Sequence, residues 1–159
     1  MLAVACVLCG ALLVGTGHAA TKPLLPGSVE SPAQFVPPPP REPTLAERAV
    51  QIARTQLGVP YVYGGASPGG FDCSGLVMYV FAQVGVSLPH SSYAQYGMGS
   101  PVSRDQLQPG DLVFFDGLGH VGIYVGGGSF IHAPHTGDVV KISSISGWYA
   151  STYVGARRI

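Results

Sequence analysis

From Gly110 onward the sequence is cut into short β-rich runs, and the stretch before it carries helical spacing; this division limits the fold more than any other feature. The runs Asp111–Phe115, His120–Val125, Ser129–Ala133, Val139–Ile142 and Thr152–Arg157 are separated by Gly, Pro and Asp, the residues that end strands. Upstream, Thr44 and Glu47 fit a capping box. Leu45, Ala49, Ile52, Ala53 and Leu57 then recur on one helical face until Gly58 stops the run. A turn-rich segment, Gly58 to Gly70, follows. A second helix is predicted from Cys73 to about Val84, with Asp72 as N-cap, Leu76, Val77, Val80, Phe81 and Val84 as its apolar stripe, and Gly85 as its stop. A short helical turn is expected near Ser92–Tyr96. Helices first and strands afterwards predict an α+β domain, its helices packed on an antiparallel sheet of about five strands. The sequence contains no internal repeat.

The 159 residues suffice for one such domain, and residues 44–159 are assigned to it. Eight basic and eight acidic residues give a net charge of zero, with no concentrated basic surface of the kind nucleic acid or anionic membranes require. Residues 1–19 read as a cleaved export signal. Ala3 to Val14 is an apolar run of h-region length, and Gly17-His18-Ala19 places small residues before a cut after Ala19. The positive n-region is missing, which leaves room for a start upstream of Met1; an uncleaved anchor and a plain tail are the competing readings. Neither Cys6 nor Cys9 has the Leu-x-x-Cys spacing of a lipoprotein. Residues 20–43 have no apolar period and contain Pro37 to Pro40, so they are expected to be a Pro-rich disordered linker. A secreted or cell-envelope location follows from these two segments.

With the signal removed, Cys73 is the sole thiol, unable to form an internal disulfide. Either it is an inert core cysteine or it has a chemical task. Its place in Phe-Asp-Cys-Ser-Gly, at the start of the second helix, favours the task. Free N–H groups and the positive helix end stabilise a thiolate, which predicts a lowered pKa, and the same groups can hold an oxyanion. A nucleophile of this kind needs an oriented base. His120 opens His-Val-Gly-Ile-Tyr-Val-Gly and His132 lies in Phe-Ile-His-Ala. If these strands form a hairpin through Gly126–Gly128, both imidazoles share a face, with His120 against the thiol and His132 orienting it. A zinc site is the rival use of Cys, His and His, but residues 44–159 contain no CxxC or HxxxH pair. No metal or cofactor is expected.

Six segments follow in order: LGVPYVYGG, GFDCSGLV, Leu-Pro-x-x-Ser from Leu88 to Ser92, QPGDLVFF, GHVGIYVG and FIHA. Together, over about residues 46–158, they resemble the catalytic domain of the NlpC-type cysteine peptidases, papain-like bacterial D,L-endopeptidases that cut peptidoglycan stem peptides. The resemblance implies a triad of Cys73, His120 and His132, with Tyr61 helping the oxyanion site. It also implies that Asp72, Ser74, Ser91 and Ser92 line the pocket for the γ-linked D-glutamyl unit. The simpler alternatives are a packed turn aromatic for Tyr61 and a helix cap for Ser91 and Ser92. The chain departs from the family at His90, where Arg often follows Leu-Pro; His135 is expected to be a loop residue. The implied activity is hydrolysis of the γ-D-glutamyl–diamino acid amide by a monomer whose partner is peptidoglycan. An amidase or acyltransferase on the same scaffold and a non-catalytic wall-binding module are the competing functions.

Overall fold

The computed structural model describes residues 41–159, so the expected export signal and residues 20–40 of the linker lie outside the described residues. Helix α1 (Leu45–Thr55) starts at the reciprocal box expected of Thr44 and Glu47. The Glu47 N–H donates to Thr44 Oγ1 at 3.2 Å, and the Thr44 N–H donates to Glu47 Oε2 at 2.8 Å. Its inner face is Ala49, Val50 and Ala53. Leu57, expected on that face, is 41% exposed. The helix ends before it, and Gly58 turns away with φ +86 to donate its N–H to Val140 O at 2.8 Å. A short ribbon of β1 (Ala66–Ser67) and β2 (Gly70–Phe71) leads into α2 (Cys73–Ala82), which Asp72 caps by accepting the Gly75 N–H at 2.7 Å. Helix α3 (Ser92–Tyr96) is the short turn the sequence predicted.

The rest of the chain supplies β3 (Ser100–Val102), β4 (Leu112–Phe115), β5 (His120–Gly126), β6 (Ser129–His132) and β7 (Lys141–Ser144). The helical turn α4 (Trp148–Ser151) precedes β8 (Tyr153–Arg158). All six form one antiparallel sheet in the order β3-β8-β4-β5-β6-β7. The five predicted strands are therefore six. The strand without a sequence signature is β3, three residues long with Pro101 at its centre. Proline breaks strand patterning and is tolerated because β3 lies at the sheet edge. Val139 and Val140, expected in a strand, instead form the bridge and turn before β7.

Alternation along the strands gives the sheet two covered faces. Leu112, Phe114, Val121, Ile123 and Ile131 pack against Ala49, Ala53, Leu76, Val77 and Val80 of α1 and α2. On the other face Val113, Phe115, Phe130 and Ala156 are covered by Tyr149 of α4, with Tyr153 alongside. Burying side chains of this size stabilises the fold by roughly 1.5–3 kcal/mol each. Among the described residues the β4–β5 turn is the one place where non-glycine residues take the left-handed region, Asp116 at φ 53 and Leu118 at φ 74 around Gly117. Its Leu118 carbonyl accepts the Ser92 hydroxyl at 2.7 Å, which ties α3 to the turn just before His120.

Candidate active site

Cys73 opens α2 at the floor of a cavity of about 400 Å³. Tyr61, Tyr63, Gly64, Asp72, Ser74, His90, Ser91, Ser92 and Gly119 complete its walls. Two glycines make this approach possible. A Cβ on Gly75 would stand 2.0 Å from Gly65 O, so only glycine lets the first turn of α2 lie against the 61–65 segment. A Cβ on Gly122 would stand 2.5 Å from Phe130 Cδ2 and 3.2 Å from His132 Cβ. Its absence leaves the space on β5 that the His132 ring needs to meet His120.

The β5–β6 register, Ile123 opposite Ile131 and Tyr124 opposite Phe130, puts His120 and His132 on the same face. His120 Nε2 lies 2.8 Å from His132 Nδ1, and His132 Nε2 lies 2.8 Å from Ser143 Oγ on β7. Tyr149 covers the pair, its ring edge-on to His132 with centroids 5.3 Å apart. The histidines do not themselves line the cavity; its wall ends at Gly119, one residue before His120. The Val121 backbone N–H is near enough to the Cys73 sulfur to favour its thiolate, which places the start of β5 beside the thiol.

Burial decides the resting charges. It pushes His120 down to about 4, Asp116 opposing it, and His132 down to about 3, the neighbouring His120 adding to the effect. Both rings are therefore neutral at pH 7. Burial also pushes the Cys73 thiol above its ordinary value, although the N–H groups of Val121 and Ser74 pull the other way. This corrects the lowered value expected from the helix start. The sulfur is packed beneath the cavity, and desolvation of the charged form outweighs the backbone donors. Thiol and imidazole, rather than thiolate and imidazolium, are the resting forms.

The expected pocket residues have divided commitments. Asp72 accepts from Gly64 N, Ser74 Oγ, Gly75 N and His90 Nε2, the last 2.9 Å from both carboxylate oxygens. Ser91 caps α3, accepting the Ala94 N–H at 3.4 Å, while Ser92 is turned to Leu118. Tyr61 lies close enough for Cys73 and Asp72 to add to the burial that raises its phenol. His135 is exposed in the β6–β7 loop, as expected.

Three residues carry no sequence signal strong enough to name them. Ser143 has no motif around it, and only the β6–β7 register, with His132 opposite Lys141, brings it diagonally to His132. Tyr149 sits in a four-residue turn without a pattern. Gln95, fully buried in α3, donates to Ser74 O at 2.9 Å and Pro89 O at 2.8 Å, joining the Cys73 helix to the loop that carries His90. A polar residue on the inner face of a predicted turn is its one faint signal.

The model of the NlpC/P60 family matches residues 58–158, the span from the end of α1 to the last strand. The chain belongs to the NlpC/P60 family. It is 53% identical over 94 residues to a probable endopeptidase of Mycobacterium tuberculosis, covering 58% of this chain and 24% of that one. To the probable endopeptidase p60 of Listeria monocytogenes it is 52% identical over 101 residues, covering 60% and 20%. The chain thus spans about a quarter or less of the length of these relatives. Among solved structures it resembles the NlpC/p60 domain of the peptidoglycan hydrolase SagA at 39% identity, with TM-score 0.66 over 72% of this chain and 98% of that one. It also resembles the peptidoglycan hydrolase RipB of M. tuberculosis at 34% identity, TM-score 0.65, over 72% and 64%. The mixed helix and antiparallel sheet is the NlpC/P60 fold. Among the described residues no group of three His, Cys, Asp or Glu is arranged to hold a metal ion, and no helix is long and apolar enough to cross a membrane.

Proposed function

We propose that this NlpC/P60 chain is a cysteine endopeptidase of the bacterial cell wall that cuts the amide between γ-D-glutamate and the following diamino acid. The observation that carries the reading is the buried relay His120–His132–Ser143, whose first member sits in sequence between Gly119, on the wall of the open cavity that Cys73 lines, and Val121, whose N–H acts on the Cys73 sulfur. The names of similar proteins, endopeptidase and peptidoglycan hydrolase, support the substrate class. The export pattern of residues 1–19 supports action outside the cytoplasm, with the linker 20–43 as tether and residues 44–159 as the catalytic domain.

In this mechanism His120 donates its Nε2–H to His132 Nδ1, which leaves His120 Nδ1 as the lone pair that takes the Cys73 proton. The sulfur attacks the γ-carbonyl carbon. Backbone N–H groups at the start of α2 and the Tyr61 hydroxyl hold the resulting oxyanion. Collapse breaks the C–N bond as the His120 imidazolium returns its proton to the leaving amine, giving a thioester and a free diamino acid. Water, deprotonated by His120, then hydrolyses the thioester and restores the thiol. The sequence of steps is redox-neutral and consumes only water. Asp72, Ser74, Ser91 and Ser92 form the acyl-side wall of the pocket.

Digestion of purified peptidoglycan followed by dinitrophenyl labelling of new amines tests this. The expected product is a new amine on diaminopimelate or lysine, absent with Cys73→Ala. Labelled N-terminal alanine alone would identify an amidase between muramic acid and the peptide, and the absence of any new amine would identify a wall-binding module.

A further inference from the structure

The cavity has an unusual charge inventory. Asp72 is the one carboxylate on its walls, and His90 is the one group there that can become a cation. Among the described residues every lysine and arginine is elsewhere. Arg41 pairs with Glu47, Lys141 with Asp138 and Arg158 with Asp111. Arg104 donates to Ile145 O, Arg157 lies over the Tyr96 ring, and Arg48 and Arg54 belong to α1. His90 cannot supply a surplus positive charge either. Its Nε2 is held at 2.9 Å from both Asp72 oxygens, so the pair sums to zero with an imidazolium and to one negative charge with an imidazole. The other titratable side chains on the cavity wall are Tyr61, Tyr63 and Cys73, none of which can become a cation. The positive end of α2 is already matched by Asp72 through the Gly75 N–H.

A substrate carboxylate entering here would lose water beside Asp72 and meet no cation. An amide in its place carries no charge and brings N–H donors that serine hydroxyls and the rim of the Asp72 carboxylate can accept. We infer that the acyl side of this cavity selects stem peptides whose D-residue bears an α-carboxamide, the D-isoglutaminyl form, over those with a free α-carboxylate. The inference rests on the proposed function, in which this cavity holds the γ-D-glutamyl unit. His90, in the position where an arginine would hold the pair with Asp72 at zero charge at every pH, is then a specificity-determining residue.

Two synthetic L-alanyl-γ-D-glutamyl-diaminopimelate peptides that differ only at that α-group test it, through kcat/KM for amine release and through Kd for Cys73→Ala by calorimetry. The amide peptide should be favoured about tenfold or more in both, with the ratio narrowing as salt rises, since it originates in charge. His90→Arg should bring the ratio to within about threefold, or reverse it, by adding a fixed cation. Should that variant fail to fold, the wild-type ratio and its salt dependence still decide. Equal use of the two peptides, or preference for the carboxylate, overturns the inference while leaving the proposed function intact. If neither peptide is cut, and neither binds Cys73→Ala, the γ-D-glutamyl reading of the cavity falls, and the inference with it.

Discussion

The Ser143 hydroxyl lies 2.8 Å from His132 Nε2, the ring nitrogen that faces away from His120. In the proposed mechanism His120, once it has taken a proton, donates from Nε2, so His132 Nδ1 must accept and His132 Nε2 must carry the hydrogen. Only an acceptor beyond it completes that arrangement, and Ser143 Oγ is in place. Ser143→Ala should therefore lower kcat about tenfold, the rate equivalent of one net hydrogen bond of ~1.4 kcal/mol, with KM little changed. Ser143→Thr should restore most of it. Nitrogen-15 shifts of the two rings would report a redistributed tautomer in Ser143→Ala, which a merely structural serine would not produce.

The two histidines should separate in kinetics. His120→Ala removes the proposed base and should cost roughly 10²–10⁴-fold in kcat. His132→Ala removes the proposed orienting group and should cost about 10- to 100-fold. Single-turnover acylation in stopped flow checks the order of the two effects. A folded His132→Ala enzyme with wild-type rate would require another partner for His120.

Because burial raises the Cys73 thiol and lowers His120, no thiolate–imidazolium pair is stored at rest. Alkylation of Cys73 by iodoacetamide should accordingly be slow at pH 6–7 and climb with pH beyond the range of an ordinary thiol, about 8.5. Labelling that is already maximal at pH 6 would show a preformed thiolate.

Acid should destabilise the fold through the same buried rings. Their ordinary value is 6.5, against about 4 for His120 and about 3 for His132 in the folded chain. The unfolded chain thus binds protons first. The stability these neutral rings contribute is fully present above pH 6.5 and is lost as pH falls toward 4 and then 3, on the order of a few kcal/mol in total. The urea midpoint should decline between pH 7 and pH 5, before most carboxylates titrate, and His120→Gln/His132→Gln should flatten that decline. A wild-type midpoint constant over this interval would mean that the rings charge in the fold without cost.

The elements with local signatures are legible in the amino-acid sequence alone. Thr44 and Glu47 announce the start of α1, Asp72 and Gly85 bracket α2, and Gly126–Gly128 mark the β5–β6 hairpin, because caps and turns are decided by residues a few positions apart. Cys73, His120 and His132 can also be named from sequence as candidates, since residue type and a local strand or helix start restrict what each can do. Properties that arise between distant segments are decided only by the tertiary structure. The edge strand β3 exists only because β8, more than fifty residues on, offers it a ladder. Ser143 and Tyr149 meet the histidines through sheet register and packing. The neutral resting state of Cys73 and His120 is likewise a tertiary effect: the helix start favours a thiolate locally, but desolvation is set by everything packed around the sulfur, and in this fold it is the larger influence.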